Sequence, residues 1–156
     1  MAKADPLMTS AQADTYLGFD FGNKKIGVAV GQTATLTASP LQTIRSIKQR
    51  PDWLLIGKLI QEWRPVGVVV GVSRQEDGSE NPITPHMLKF CRQLEGRYAL
   101  PVYQQNEAFS TFEAKQLLFD EVNLSAAKLW AVQDQLAAQL ILQSWLNDQA
   151  ERIRKC

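Results

Sequence analysis

The chain has 156 residues, 45% hydrophobic and 21% charged, enough for one soluble domain with its own core. The net charge of +1 divides into +4 over residues 1–75 (nine Lys/Arg, five Asp/Glu) and −3 over 76–156 (eight and eleven), so a polyanion would have to meet a local basic patch. No apolar run is long enough to span a bilayer, and two cysteines, Cys91 and Cys156, make no disulfide framework, which points away from membranes and towards a reducing cytoplasm.

Residues 1–14, MAKADPLMTSAQAD, lack the apolar centre of a signal peptide and read as a flexible tail before a domain over 15–150. Residues 15–22 and 25–32 alternate as two strands of a hairpin. Thr35–Ile47 supplies a third strand, with Pro40 interrupting it or marking an edge. Pro51-Asp52 opens a helix that Arg64-Pro65 closes. Residues 66–72, VGVVVGV, are apolar on both faces, as in a buried parallel strand.

After a polar loop, Thr84-Pro85 reads as a cap and first-turn pair for a helix to about Tyr98. PVYQQNE is a short strand, and Ser110–Glu113, STFE, matches a capping box that starts another helix. A last helix runs from near Ser125 to about Asp148. Three strands in a meander, then strands alternating with helices, imply a mixed α/β sheet of five strands with helices on its faces.

Three acids stand out. Leu17, Phe19 and Phe21 share one face of the first strand, while Gly18, Asp20 and Gly22 share the other. Glycines on both sides of an acid leave room for a ligand, although Asp20 could equally cap the turn that follows. Asp134 falls on the apolar stripe of the last helix with Trp130, Ala137, Ala138, Ile141 and Trp145. A carboxylate there needs a metal, a basic partner or a route to water. Glu107 ends the PVYQQNE strand and taken alone reads as a surface acid.

Together the three suggest a carboxylate cluster at the carboxyl ends of parallel strands, where ligands gather in open sheets. Hard oxygen donors suit Mg²⁺ or Mn²⁺, and a pair of ions could clamp a phosphodiester. Lys24 and Lys25 in the hairpin turn, and Arg45, Lys48 and Arg50 further on, could hold nucleic-acid phosphates or be ordinary solvated charge. His86, the single histidine, excludes any zinc site or triad built on several histidines.

LGFDFGNKKIGVAVG, VVVGVSRQEDGS, NEAFSTFEA and VQDQLAAQLILQSWL resemble, in order, the signature blocks of the YqgF family of Holliday-junction-resolvase-like proteins, proposed pre-16S rRNA nucleases. The blocks cover most of residues 16–146. The resemblance implies an RNase H-like fold over 15–150, divalent-metal-dependent phosphodiester cleavage, and a role in maturing the 5′ end of small-subunit rRNA in the cytoplasm. It places catalytic, metal-binding acids at Asp20, Glu107 and Asp134. Arg74, in the polar loop after residues 66–72, joins Lys24, Lys25, Arg45, Lys48 and Arg50 as a candidate nucleic-acid contact. Structured pre-rRNA, the small ribosomal subunit or branched DNA would be the partners.

Two blocks depart from the family pattern. Asn106-Glu107-Ala108 stands where Asp-Glu-Arg is usual, and Val72-Ser73-Arg74 where Leu-Pro-Leu is common. Resolution of branched DNA by the same chemistry is a second reading, and a nucleic-acid-binding or ribosome-assembly factor that has lost cleavage, supported by Asn106 and Ala108, is a third. An ATP-binding fold is a fourth, since DFGNKKIG also resembles a phosphate-binding hairpin.

Overall fold

The computed structural model describes residues 14–22, 24–48, 50–72, 83–106 and 126–155. The strands are β1 (Thr15–Phe21), β2 (Lys25–Gln32), β3 (Thr37–Ile47), β4 (Arg50–Pro51), β5 (Gly67–Val72) and β6 (Val102–Asn106). The helices are α1 (Trp53–Trp63), α2 (Thr84–Tyr98) and α3 (Ala126–Lys155). They form one sheet in the order β4-β3-β2-β1-β5-β6. β1, β2, β3 and β4 pair antiparallel in succession, whereas β1, β5 and β6 are parallel. The expected five strands are present, and the two-residue β4 is an addition that folds back on the end of β3.

Pro40 sits opposite Ala29, next to a bulge. β4 reaches only Ser46 and Ile47, so Pro40 lies on the sheet edge, where a missing N–H is tolerated. The Asp52 side chain accepts a hydrogen bond from the Leu55 N–H at 3.1 Å and caps α1. Arg64 ends that helix in the left-handed region, φ 46°, because Pro65 disfavours a further helical residue. The expected Thr84 cap moves back by one residue. Ile83 is the N-cap, without a side-chain bond, and Thr84 is fully buried inside the first turn. The last helix runs to Lys155, past the expected end near Asp148. The tail over residues 1–13, the loop 73–82 and the capping box at 110–113 lie outside the described residues.

Side-chain alternation in β1 divides the core in two. Leu17, Phe19 and Phe21 join Ile26, Val28, Val68 and Val70 beneath α1 and α2, whose Ile56, Leu59, Met87, Phe90 and Leu94 complete that cluster. The opposite face carries a smaller cluster in which Ala29, Ala38 and Val69 meet Ala138, Ile141, Leu142, Trp145 and Leu146 of α3. Helices thus cover both faces, and burying each large apolar side chain stabilises the fold by about 1.5–3 kcal/mol. Cys91 is one of the buried residues, and burial pushes its thiol up to about 11, which leaves it inert as a nucleophile at neutral pH.

Candidate active site

The α3 face of the sheet is nearly bare of side chains along one track, and the helix backbone occupies the space. A Cβ at Gly18 would lie 2.8 Å from Leu142 Cβ, and one at Gly31 would lie 2.9 Å from Leu142 Cδ2. At Gly27 the approach is closest: a Cβ would lie 1.8 Å from the Asp134 carbonyl oxygen. No residue other than glycine lets the helix cross β2 at that height.

Gly27 is the cross-strand partner of Asp20. Residues directly opposite in an antiparallel pair project from the same face. Asp20 therefore points to the α3 side, and Asp134 is seated over the neighbouring residue. Two of the three predicted acids are brought together on one face, at the carboxyl ends of the parallel strands. On the other side of Asp20 the row continues through Gly71 to Gln105. Gln105 faces α3, since its Nε2 donates to Asp148 Oδ2 at 3.2 Å. Glu107 would follow Gln105 by two residues, but it lies outside the described residues.

Asp134 has its own cation. Lys25 Nζ lies 3.4 Å from Asp134 Oδ2, with the lysine 35% and the aspartate 19% exposed. The contact is a charge pair without hydrogen-bond geometry, for Oδ2 is buried and accepts no hydrogen bond. Lys25 begins β2 two residues before Gly27 and so projects to the same face. The hairpin turn is therefore not a wholly solvated tip: Lys24 is exposed, while Lys25 turns inward.

Arg45 pairs with Lys25 across the β2–β3 ladder, and the Lys24 carbonyl accepts from the Ser46 N–H at 2.9 Å. Arg50 opposes Ile47 in the next turn, beside Lys48. Lys24, Lys25, Arg45, Lys48 and Arg50 thus gather at the end of the sheet that holds the acids. Arg74 lies outside the described residues.

A buried carboxylate oxygen with no hydrogen bond, on the face that also carries Asp20, suits a hard divalent cation. Among the described residues no group of three His, Cys, Asp or Glu is close enough to hold a metal. Any third protein ligand would have to come from elsewhere in the chain. The sequence did not single out Gly27, although Gly27, Ala29 and Gly31 at alternate positions of one strand announce a close-packed helix.

Comparison with known proteins follows the same line. A family model described as "RuvX: Holliday junction resolvase" matches residues 14–148. A protein of Methylococcus capsulatus named "Putative pre-16S rRNA nuclease" is 52% identical over 133 residues, 85% of this chain and 88% of its own length. One of the same name from Nitrosomonas europaea is 43% identical over 142 residues, 91% of this chain and 95% of its own length. Among solved structures, Thermus thermophilus RuvC superposes with a TM-score of 0.53 at 17% identity, covering 88% of this chain and 96% of RuvC. The fowlpox virus resolvase, solved with Holliday junction DNA, gives 0.53 at 12% identity, covering 86% and 98%. These structures show the fold, a mixed sheet of RNase H type flanked by helices. With 135 consecutive residues matched by its model, from 14 to 148, the chain belongs to the RuvX family, the YqgF group that its four sequence blocks resemble.

Proposed function

We propose that this protein is a metal-dependent endonuclease that cuts a phosphodiester bond in structured RNA, at the 5′ end of the small-subunit rRNA precursor. The observation that supports the reading is the placement of Asp20 on the face where the Asp134 backbone lies over Gly27, the cross-strand partner of Asp20. Asp20 and Asp134, with Glu107 as a third ligand, would hold one or two Mg²⁺ or Mn²⁺ ions. Bound there, such ions would supply an activated water and positive charge to offset what develops on the phosphodiester oxygens.

The chain's own part is to bind and orient the strand. Lys24, Arg45, Lys48 and Arg50, joined by Arg74, would meet the phosphates at the mouth of the site. Such contacts read backbone and shape, so folded RNA and branched DNA present similar targets. Relatives named for rRNA processing favour RNA, and the family description keeps branched DNA as the second reading. A nuclease working on an rRNA precursor would act in the cytoplasm, beside the small ribosomal subunit. Among the described residues no helix is long and apolar enough to cross a membrane.

The test is a cleavage assay on precursor rRNA and on a four-way DNA junction, with Mg²⁺, Mn²⁺ or chelator. Cleavage should require the ion and should fall at least a hundredfold in Asp20→Asn, which keeps the size of the side chain and removes its charge. The variant should melt no lower than the parent without metal. Binding of both substrates without cleavage by the parent would instead establish the non-catalytic reading.

A further inference from the structure

The backbone of Asp134 rests on Gly27, so its carboxylate can move only by rotation about two side-chain bonds. Its Oδ2 is buried without a hydrogen bond, and a carboxylate in that position needs a neighbouring positive charge. Lys25 supplies that charge at 3.4 Å. Of the two partners the lysine is the one able to move, being 35% exposed on a flexible four-carbon stem.

A divalent ion on Asp134 would take the same oxygen at about 2.0–2.2 Å and repel an ammonium so close to it. The two cations compete for Oδ2. We infer that Lys25 is the site's built-in counter-cation: it holds the Asp134 carboxylate in the metal-free protein and is expelled when a divalent ion arrives. This rests on the metal-site reading above. The expelled ammonium would stand between Lys24 and Arg45, at the opening where a substrate phosphate meets the site. Lys25 is thus a positioning residue with two stations, and metal loading would expose a phosphate-binding charge that is otherwise engaged.

The experiment is calorimetric titration of the full chain with Mn²⁺ alone, for the parent, Lys25→Met and Lys24→Met, with melting in chelator and in saturating Mn²⁺. Lys25→Met should melt several degrees lower in chelator, since Asp134 is left unpaired, and the gap should close in Mn²⁺. It should bind Mn²⁺ about fivefold tighter, the range expected when a partly exposed ion pair no longer competes. Lys24→Met removes the same charge one residue away and should produce neither change in full.

Equal Mn²⁺ affinity of parent and Lys25→Met, or an equal gain in Lys24→Met, would overturn the inference while leaving the metal site standing. Failure of the parent itself to bind Mn²⁺ would remove the metal reading and this inference with it. If Lys25→Met does not fold, Lys25→Arg decides. It keeps the charge, so it should bind Mn²⁺ no better than the parent, and tighter binding would refute the exchange.

Discussion

On one face of the sheet Phe19 and Phe21 pack against Phe90, with ring centroids 5.6 and 5.0 Å apart, beneath two helices. On the other, Gly18, Gly27 and Gly31 clear a track that one helix fills with its own backbone. The first face is held by side-chain volume, the second by its absence. Volume gives stability that tolerates small shifts, because many contacts share the load. Absence fixes a height: α3 can sit only where a Cβ is missing, and so the carboxylate of Asp134 is set relative to Asp20. This suits a site whose ligands must be placed within fractions of an ångström.

The largest effect expected from this comparison is on the aromatic face. Phe90 is almost fully buried and also meets Trp53 at 5.6 Å. Phe90→Ala should lower the unfolding free energy by about 3–5 kcal/mol in guanidinium titration. The Mn²⁺ affinity of the folded protein should not change, since that cluster lies on the face of the sheet opposite α3. A parallel loss of affinity would show that the two faces are mechanically coupled.

The aromatic face and the glycine face were not equally legible in the sequence. Alternation placed Leu17, Phe19 and Phe21 inside, and the uniform apolar run at 66–72 marked a strand covered on both sides, because burial leaves a periodic trace. The side of Asp20 and the stripe position of Asp134 were readable for the same reason. The Lys25–Asp134 pair was not, since it depends on how far the helix descends over β2, and that distance is set by Gly27, a residue that contributes no side chain. The short β4 and the shift of the α2 cap to Ile83 also escaped. A two-residue strand has no period, and buried Thr84 satisfied the cap pattern without making the bond.

The second prediction breaks the glycine face directly. In Gly27→Ala the new methyl would overlap the Asp134 carbonyl, so α3 must lift. Overpacking of this kind costs about 1–3 kcal/mol. Mn²⁺ binding should suffer more than stability, because Asp134 moves away from Asp20 as the helix rises. Gly96→Ala makes the same change in α2, where a Cβ would meet nothing within 4 Å. There helix propensity dominates, and the substitution should stabilise by about 0.5–1 kcal/mol without touching Mn²⁺ affinity. The two variants, melted and titrated side by side, give opposite signs if the geometry is right. Equal signs would mean that α3 has slack to yield over Gly27.

The smallest effect sharpens what fixes α3 sideways. Gln135, Gln139 and Gln143 recur every four residues along the helix and reach over the β3 side of the sheet. Gln135 donates to Thr43 Oγ1 at 3.2 Å, and Gln139 donates to the Ala38 carbonyl at 3.0 Å. Gln143 does both jobs: its Oε1 accepts from the Ala38 N–H at 3.0 Å, and its Nε2 donates to the Leu36 carbonyl at 2.7 Å. A side-chain amide presents a donor and an acceptor as a backbone unit does, so Gln143 stands in for a strand neighbour on a stretch that β4 does not cover. Such contacts guard an edge against pairing with other chains. Gln143→Ala should cost only about 1 kcal/mol, since water can replace part of what is lost, and should speed hydrogen exchange at the Ala38 amide. Gln143→Glu is the more telling change. It keeps an acceptor for Ala38 but sets a carboxylate against the Leu36 carbonyl. It should therefore preserve protection at Ala38 while still losing stability. If Ala38 exchanged as fast in the glutamate variant as in the alanine one, the Gln143 acceptor would not be what holds the edge of β3.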